Sequence, residues 1–408
     1  MGQGVSATGP KNAHPIVFLL LCTPFGASNG YLVVTLGFLL SQAGVGVAAI
    51  AGLIALSLVP QTWKFFWAPL VDTTLSSKTW YLLAAIVCSV TLGAIGFFPI
   101  SQAGLFAITV LVVANSAATT FLAMAAENLM AHATPEAEKG RAAGWYQAGN
   151  LGGSGIGGGG ALWLAQHFHY AWLPGAAMAV LFLACCLALL FVDEPPADHR
   201  HASYYRSLAN VALDVWNTAR SRAGYLALLI CFLPIGSGAA SNLWAAIAGD
   251  WYAGADTVAL VNGVLGGIVS AIGCVVGGYF CDRMDRKLAY ALYGVLLAAG
   301  ALAMAAAART PAMFVTFTLL YAFVQGFNYA SFSAVVLEAI GRGAAATKYN
   351  LYAALSNAPI MYMTTVEGFA YSRWHANGLL LADALAGLAA VLFFFAVSMG
   401  TRPRAVPA

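Results

Sequence analysis

Apolar runs of about 20 residues or more recur along the whole chain, and a helix of this length spans the hydrocarbon core of a bilayer. We place these runs at 16–40, 46–71, 79–99, 102–131, 142–166, 171–192, 224–249, 257–281, 288–308, 312–339, 347–371 and 377–399. The links between them are short, turn-like and charged. The pattern predicts an all-α membrane protein with about twelve transmembrane helices. We expect the first run to stay in the protein as a membrane anchor, because it is long enough to span.

The composition agrees with this fold class. Of the 408 residues, 61% are hydrophobic and 8% are charged, and the mean hydropathy is +0.79. Soluble domains carry about 25% charged residues. The net charge of +3 is too small to favour a nucleic-acid partner. The seven cysteines are scattered through apolar runs without metal-ligand spacing, so we interpret them as small buried side chains and expect no metal and no cofactor.

Lysine and arginine fall almost entirely on one side of the predicted membrane. If the N-terminus is cytoplasmic, the outside loops hold only Arg309 and Arg373, and Lys64 lies within a helix. All other basic residues then fall in inside loops and tails, as the positive-inside rule requires. We expect a multi-pass protein of a bacterial inner membrane with both termini in the cytoplasm.

The two halves of the chain repeat each other. An offset of 210 or 211 positions relates three pairs of landmarks, which are Pro24-x-Gly26 with Pro234-x-Gly236, Asp72 with Asp282, and Glu127 with Glu338. The spacing predicts two six-helix bundles in parallel repeat, at 1–192 and 224–408, joined by a cytoplasmic loop at 193–223.

The central loop, 193–223, is the longest polar stretch of the chain. Within it, one helical face would hold Tyr204, Leu208, Val211, Ala212, Val215 and Trp216. This pattern favours an amphipathic helix on the inner leaflet, with its arginines toward lipid headgroups. A plain linker is an equally open interpretation.

Three stretches carry a resemblance to known transporters. "GGYFCDRMDRK" (277–287) resembles the signature loop of the major facilitator superfamily. "LVPQTWKFFWAPLVD" (58–72) and "AAENLMAHATPEAEKGRAAGWYQAGNLGG" (125–153) resemble segments of its AmpG-like permease group, which includes muropeptide permeases and acetyl-CoA transporters. Siderophore permeases share the lysine-tryptophan segment.

The resemblance implies two pseudo-symmetric bundles that alternate access around a central site. It also implies a proton-coupled symporter that imports a muropeptide or a related amphipathic solute, and we expect this symporter to be a monomer. A siderophore permease and an acyl-CoA permease of the same fold are the alternatives.

Polar and aromatic residues concentrate in the helices that line the cavity in this family. We predict substrate contacts for Asn29, Tyr31, Lys64, Asn115, Gln147, Asn150, Asn242, Trp244, Tyr321, Gln325, Asn328 and Tyr352. The alternative for the amides is hydrogen bonding between helices. Lys64 either meets an anionic group of the substrate, or extends to the interface or to Glu127 as a structural cation.

Charged residues within the membrane need a reason, because an unpaired charge there is costly. We predict that Glu367, Glu127 and Glu338 are the candidates for proton coupling, with Glu367 as the most embedded. The gating candidates are Asp72, Lys78, Asp282, Arg283, Arg286 and Glu338. Asp250 and Asp383, like Glu367, lie toward outer helix ends, where each could take a proton from outside, although we expect such residues more often to be solvated end charges.

An intramembrane enzyme is the alternative from a different class. It would need a metal-ligand pair such as H-E-x-x-H or a nucleophile with a base in reach, and the sequence shows neither. A channel would need a charged ring or a filter repeat. We therefore predict a transporter without catalytic residues, whose partners are a small-molecule substrate, protons and membrane lipids.

Overall fold

The structure is a computed structural model that describes residues 13–134, 139–194, 221–281, 283–340 and 351–400, and single positions between 206 and 220. Regular secondary structure in these residues is helical throughout. Nine of the described helices are long and apolar enough to cross a membrane. The predicted all-α membrane fold is therefore confirmed. The count of twelve spans and the symmetry between the halves stay predictions.

The helices follow the predicted apolar runs closely. The first half contains α1 (Ile16–Gln42), α2 (Val47–Phe66), a short helix (Ala68–Thr73), α3 (Ser77–Ile95), α4 (Leu105–Ala133), α5 (Lys139–Gly155, continued by Ile156–Gly160 and Ala161–His167) and α6 (Leu173–Phe191). The second half contains α7 (Arg222–Phe232), α8 (Ala255–Cys281), α9 (Arg286–Ala306), α10 (Pro311–Ile340), and a helical run, Asn357–Gly400. That run is broken at Trp374 and His375 into α11 and α12.

Successive helices run in opposite directions, which gives the molecule two ends. One buried cluster joins the start of α1 at Phe18, the start of α3 at Tyr81 and the end of α4 at Leu129. The start of α5 and the end of α6 pack into the same cluster at Tyr146 and Leu189. We call this the Ile16 end of the molecule and the opposite end the Gln42 end.

The two halves share a core at the Gln42 end. There the largest buried cluster combines Leu40 of α1 and Ile50 of α2 with Trp251 and Leu379 of the second half. At the Ile16 end the halves have separate clusters of described residues, and Phe65 of α2 reaches across to pack on second-half residues. The halves are therefore joined at the Gln42 end and part toward the Ile16 end.

Close backbone approaches seal the Gln42 end. The Ser41 hydroxyl of α1 donates to the Ala246 carbonyl in the second half. A Cβ atom on Gly263 of α8 would lie 2.5 Å from the Gly159 nitrogen of α5, and Gly368 of α11 lies directly against α2. Small residues allow this contact, because they let helix backbones meet without side chains between them.

The predicted run 224–249 is not one continuous helix, and here the expectation is wrong. α7 ends at Phe232, and short helical turns resume only at Ala239. Gly236 and Gly238 have φ angles of +58° and +70°, which L side chains rarely adopt. Pro234 removes a helical hydrogen bond in the same segment. We call residues 233–238 the α7 break.

The described part of the central loop is sparse. Between 195 and 220 six positions are described, all helical and exposed, and the Arg220 guanidinium lies 4.8 Å from the ring centroid of Trp216. The other residues of the predicted apolar face, Tyr204, Leu208, Val211, Ala212 and Val215, lie outside the described residues. The amphipathic helix therefore stays a prediction.

Candidate functional site

A cavity of about 320 Å³ lies between the two halves. Small-molecule sites begin at about 300 Å³. Polar side chains on its wall are Ser28, Asn29, Tyr31, Ser57, Gln61, Lys64, Asn115, Ser116, Thr119, Asn150, Ser237, Ser241, Asn242, Gln325, Tyr329 and Asn357. Among these described residues, Lys64 is the only charged one. The wall thus offers amides, hydroxyls and one ammonium group.

Asn115 of α4 connects three helices as well as forming part of the wall. It is buried, accepts a hydrogen bond from Ser28 of α1, and donates to Thr91 Oγ1 of α3 at 3.1 Å. It also donates to the Cys88 carbonyl at 3.4 Å. An amide with this many partners fixes the helices around the cavity.

Lys64 lies where α2 changes to a 3₁₀ turn, and its half-buried side chain lines the cavity. Within the described part of the chain it has no hydrogen bond or ion pair. Its neighbours Trp63 and Phe66 are exposed, and their ring centroids stack at 5.7 Å. Glu127, the partner considered for Lys64, instead accepts from the Tyr146 hydroxyl at 3.4 Å. The ammonium group is therefore available to a ligand in the cavity.

The α7 break forms the wall of the second half together with α10 and α11. Gln325 of α10 faces Gly238, where any Cβ atom would collide with its amide. The Gln325 amide donates to the Tyr329 hydroxyl at 3.2 Å, and Asn242 donates to Thr364 Oγ1 at 3.2 Å. Unwound backbone is tolerated at membrane depth where it lines a polar cavity, as it does here.

The structure brings seven of the twelve predicted substrate contacts to this wall. They are Asn29, Tyr31, Lys64, Asn115, Asn150, Asn242 and Gln325. Two more lie beside it. Gln147 is exposed and accepts from Asn150 Nδ2 at 3.3 Å, and Asn328 lines a small neighbouring pocket.

Four aromatic contacts were predicted, and the three other than Tyr31 are buried away from the wall. Trp244 and Tyr321 pack against each other edge-to-face, with ring centroids 5.3 Å apart. Tyr352 is buried in a second-half cluster, and its hydroxyl donates to the Gly224 carbonyl at 3.5 Å. In this arrangement these three side chains pack outside the wall of the cavity and do not line it.

Several wall residues were missed by sequence reasoning. Gln61 precedes Lys64 by one helical turn, and Ser57 lies one turn further back. Tyr329 follows Gln325 by one turn in the same way. Helical spacing from residues already selected was the signal that would have found them.

The candidate proton sites differ sharply in their surroundings. Glu367 of α11 is fully buried, whereas Glu127 is half-buried at the Ile16 end beside Tyr146. The side chain of Glu338 lies outside the described residues. Asp250 is half-buried and accepts from the Tyr371 hydroxyl at 2.9 Å.

Asp383 corrects an expectation, because it is not solvated. It is 7% exposed and accepts a hydrogen bond from the Tyr321 hydroxyl at 2.9 Å. The neighbouring carboxyl group is that of Glu367. The break at Trp374 and His375 folds α12 back on α11 and brings these two acids together.

The predicted gating cluster is described only in part. Asp282 and the side chains of Asp72 and Glu338 lie outside the described residues, and Arg286 begins α9. The Arg283 guanidinium donates to the Tyr279 carbonyl at 2.8 Å and lies 3.4 Å from the centroid of the Tyr279 ring.

At the matching place in the first half, Lys78 is in the first turn of α3. Its backbone N–H and that of Ser77 donate to the Glu194 carboxylate, at 3.1 and 2.7 Å. This carboxylate caps the helix N-terminus, where an anion is favourable. It ties the end of the first half to α3.

Comparison with known proteins places this architecture in a family. The family model described as the Major Facilitator Superfamily matches residues 16–364. The chain belongs to the major facilitator superfamily. It is accordingly an integral membrane protein of a transporter family, as the sequence predicted.

Among characterised members of the superfamily, the anhydromuropeptide permease of Escherichia coli K12 is 27% identical over 330 residues. The alignment covers 77% of this chain, and the chain spans 66% of that relative's length. The same permease from Escherichia coli O157:H7 matches equally well. This agrees with the AmpG-like resemblance.

Solved structures of the superfamily share the fold. The nucleoside transporter NupG superimposes with a TM-score of 0.72 at 13% identity, over 95% of this chain and 99% of that one. A D-xylose-proton symporter gives a TM-score of 0.70 at 14% identity, over 93% and 97%. At these identities the likeness concerns the fold alone.

Proposed function

We propose that this protein is a proton-coupled importer of a small amphipathic solute of the muropeptide type, and that it works by alternating access. The observation that carries this proposal is the cavity. It has a polar wall and an ammonium group that meets no partner among the described residues, and a core shared by both halves closes it at one end. A closure of this kind suits a protein whose halves rock about a central site.

The proposed topology has twelve spans in two pseudo-symmetric bundles, 1–192 and 224–408, joined by the loop 193–223. The positive-inside pattern puts the Ile16 end and both termini in the cytoplasm of a bacterial cell, at the inner membrane. The structure then corresponds to the state closed toward the outside. Asp72, Lys78, Asp282, Arg283, Arg286 and Glu338 would lock the cytoplasmic side in the opposite state.

The chemistry of the wall suits a muropeptide. Such a ligand carries sugar hydroxyls, peptide amides and carboxylates. Amide side chains such as Asn150 and Gln325 would pair with the first two, and Lys64 would pair with a carboxylate. The relative named anhydromuropeptide permease supports this substrate class.

The test is uptake by the purified protein in liposomes under an imposed pH gradient. Radiolabelled anhydromuropeptide is the main probe, and a ferric siderophore and an acyl-CoA are the competing ones. Saturable accumulation of the first alone supports the proposal. Accumulation of a competing probe instead would replace the substrate class while keeping the transporter.

Lys64→Met separates the role of the cation from that of a membrane anchor. A charge-assisted hydrogen bond contributes about 1.5–3 kcal/mol, so KM for the anionic probe should rise about tenfold or more. A probe whose carboxylates are amidated should show little difference between Lys64→Met and wild type. Lys287→Met, in the first turn of α9 and off the cavity wall, is the matched control. An unchanged KM for the anionic probe would contradict the role given to Lys64.

A further inference from the structure

Two carboxyl groups lie together behind the closed end of the cavity. Glu367 is 0% exposed and Asp383 is 7% exposed. They belong to α11 and α12, on either side of the helical break. Sixteen positions separate them in the sequence, and no basic side chain in the described ranges accompanies them into this site.

The carboxyl group of Glu367 has no hydrogen-bond donor among the described residues, whereas that of Asp383 has one. Asp383 Oδ2 accepts from the Tyr321 hydroxyl at 2.9 Å. Neither oxygen of Glu367 meets an N–H or O–H donor among the described residues, and the group facing it is the Asp383 carboxyl. Two carboxylates can share a hydrogen bond only if one of them carries a proton.

The other ionisable groups nearby are engaged elsewhere. On α10, Tyr329 accepts from the Gln325 amide at 3.2 Å, and on α11 Tyr371 donates to Asp250 at 2.9 Å. On the α2 side, Gly368 packs against Ala51, which is small and uncharged.

The two arginines described at the Gln42 end also have their guanidinium groups on other partners. The Arg309 guanidinium lies 4.0 Å from the ring centroid of Trp251 and donates to Asn377. The Arg373 guanidinium lies 5.2 Å from the ring centroid of Phe369. Among the residues that the structure describes, the pair therefore has no cation beside it, and a dry pair of ionised carboxylates would be strongly unfavourable.

Two helical faces connect the pair to the cavity. On α11, Ile360 lines the cavity, Thr364 follows one turn later, and Glu367 follows one turn after that. Thr364 accepts from Asn242 of the wall at 3.2 Å. On α10, Tyr321 lies one turn beyond the wall residue Gln325. Glu367 is thus two helical turns from the wall residue Ile360, and Tyr321, which binds Asp383, is one turn from the wall residue Gln325.

We propose that Glu367 and Asp383 form a single proton-binding site that carries one shared proton and couples it to transport. Tyr321 is a positioning residue that orients Asp383. The step is a proton transfer to and from water, and no covalent bond of the protein changes. This proposal rests on the proposed transport function, but proton binding at the pair can be measured without any substrate.

The coupling follows from where the pair lies. With the shared proton bound, the pair carries one negative charge, spread over a hydrogen bond between the two carboxyl groups, and the dry packing of the Gln42 end tolerates this better than two charges. When water entering past Thr364 and Asn242 removes the proton, two facing anions remain in an apolar core. Their repulsion favours opening of the Gln42 end, where outside water can supply a new proton.

The first experiment is infrared spectroscopy of the purified protein in lipid, titrated from roughly pH 5 to 9. We expect a C=O band of a buried carboxylic acid that titrates in this range. Glu367→Gln and Asp383→Asn should each remove or shift it, and Asp256→Asn, which is exposed at the start of α8, should not. A band that never titrates, or one that survives in the double variant, would overturn the proposal.

The second experiment compares driven uptake with exchange, using anhydromuropeptide as the probe. With one proton per solute, a gradient of one pH unit supports about tenfold accumulation in wild type. Glu367→Gln should equilibrate without accumulation, so its ratio falls to about one, while solute exchange without a gradient continues. Glu367→Asp, which keeps an acid, should restore accumulation with an altered pH profile.

The outcomes separate the two proposals. Driven accumulation by Glu367→Gln equal to wild type would overturn the role of the pair. If wild type neither exchanges nor accumulates this probe, the proposed substrate fails, while the infrared titration still decides proton binding. A folding defect in Glu367→Gln would appear as a loss of solute exchange. In that case, driven uptake by Asp383→Asn and the infrared titration of the wild-type protein test the role of the pair.

Discussion

Adjacent glycines in α8 are predicted to behave oppositely when each is replaced by alanine. A Cβ atom on Gly277 would lie 2.6 Å from the Cα atom of Phe327 in α10, whereas one on Gly278 would meet Ala330 Cβ at 3.8 Å. An ordinary contact begins at 3.4 Å, so α8 and α10 would have to separate by about 0.8 Å in the Gly277→Ala variant. The obstacle is backbone, which cannot rotate away.

The magnitude follows from two opposing terms. Overpacking of this kind costs about 1–3 kcal/mol. Alanine is favoured over glycine in a helix by about 1 kcal/mol, and both variants gain this term. Gly278→Ala should therefore be neutral or slightly stabilising, and Gly277→Ala should be less stable than it by about 1–3 kcal/mol. The comparison of neighbours cancels the helix propensity and isolates the collision.

Thermal unfolding with a thiol-reactive dye measures this difference. All seven cysteines are free and five are buried, so unfolding exposes them to the dye. Cys281 lies on α8 itself and is 1% exposed. Gly277→Ala should show a lower Tm than Gly278→Ala and wild type. Equal Tm values for the two variants would refute the close approach of α8 and α10 on which the prediction is based.

Two further predictions concern the cavity and its closed end. Asn115→Ala removes an amide shared by three helices, and it should lower stability by about 1–2 kcal/mol in the same assay; an unchanged Tm would show that water replaces it. Gly368→Val places a branched side chain where α11 contacts α2, which should loosen the Gln42 end. A cysteine introduced as Ser41→Cys into this variant should then react faster with an impermeant thiol reagent. Gly52→Val, which meets open space, is the matched control, and equal rates in both would contradict the seal.

The α7 break shows where sequence reasoning stops. Pro24-x-Gly26 and Pro234-x-Gly236 are matching motifs, and nothing in the sequence around them predicts a different backbone. α1 nevertheless continues through Pro24, while the chain unwinds at Pro234. The difference is tertiary, because amides of α10 occupy the space beside Gly236 and Gly238. Helix lengths and the family were predictable, since both depend on local pattern.

The polar wall was predictable to the same extent. Residues such as Asn29 and Asn242 stand out because amides are unusual in apolar helices. Trp244 and Tyr352 were selected because they carry a polar group in the same set of helices. They face the core instead, because the rotation of each helix about its axis is set by the neighbouring helices. The burial of Asp383 could not be read from its position near a helix end, because it depends on the fold of α12 against α11.

The position of the acid pair explains how one packing event can control two functions. The core that closes the cavity at the Gln42 end contains Trp244 and Tyr321, which pack against each other, and the Tyr321 hydroxyl also donates to Asp383 of the pair. Opening that end must loosen this core, and water that enters reaches the carboxyl groups as it reaches the cavity. Lys64 lies toward the other end, so a solute held there does not depend on the same core. Under the proposed mechanism, access to the proton site and access to the solute site would then change together, which is the requirement for coupled transport.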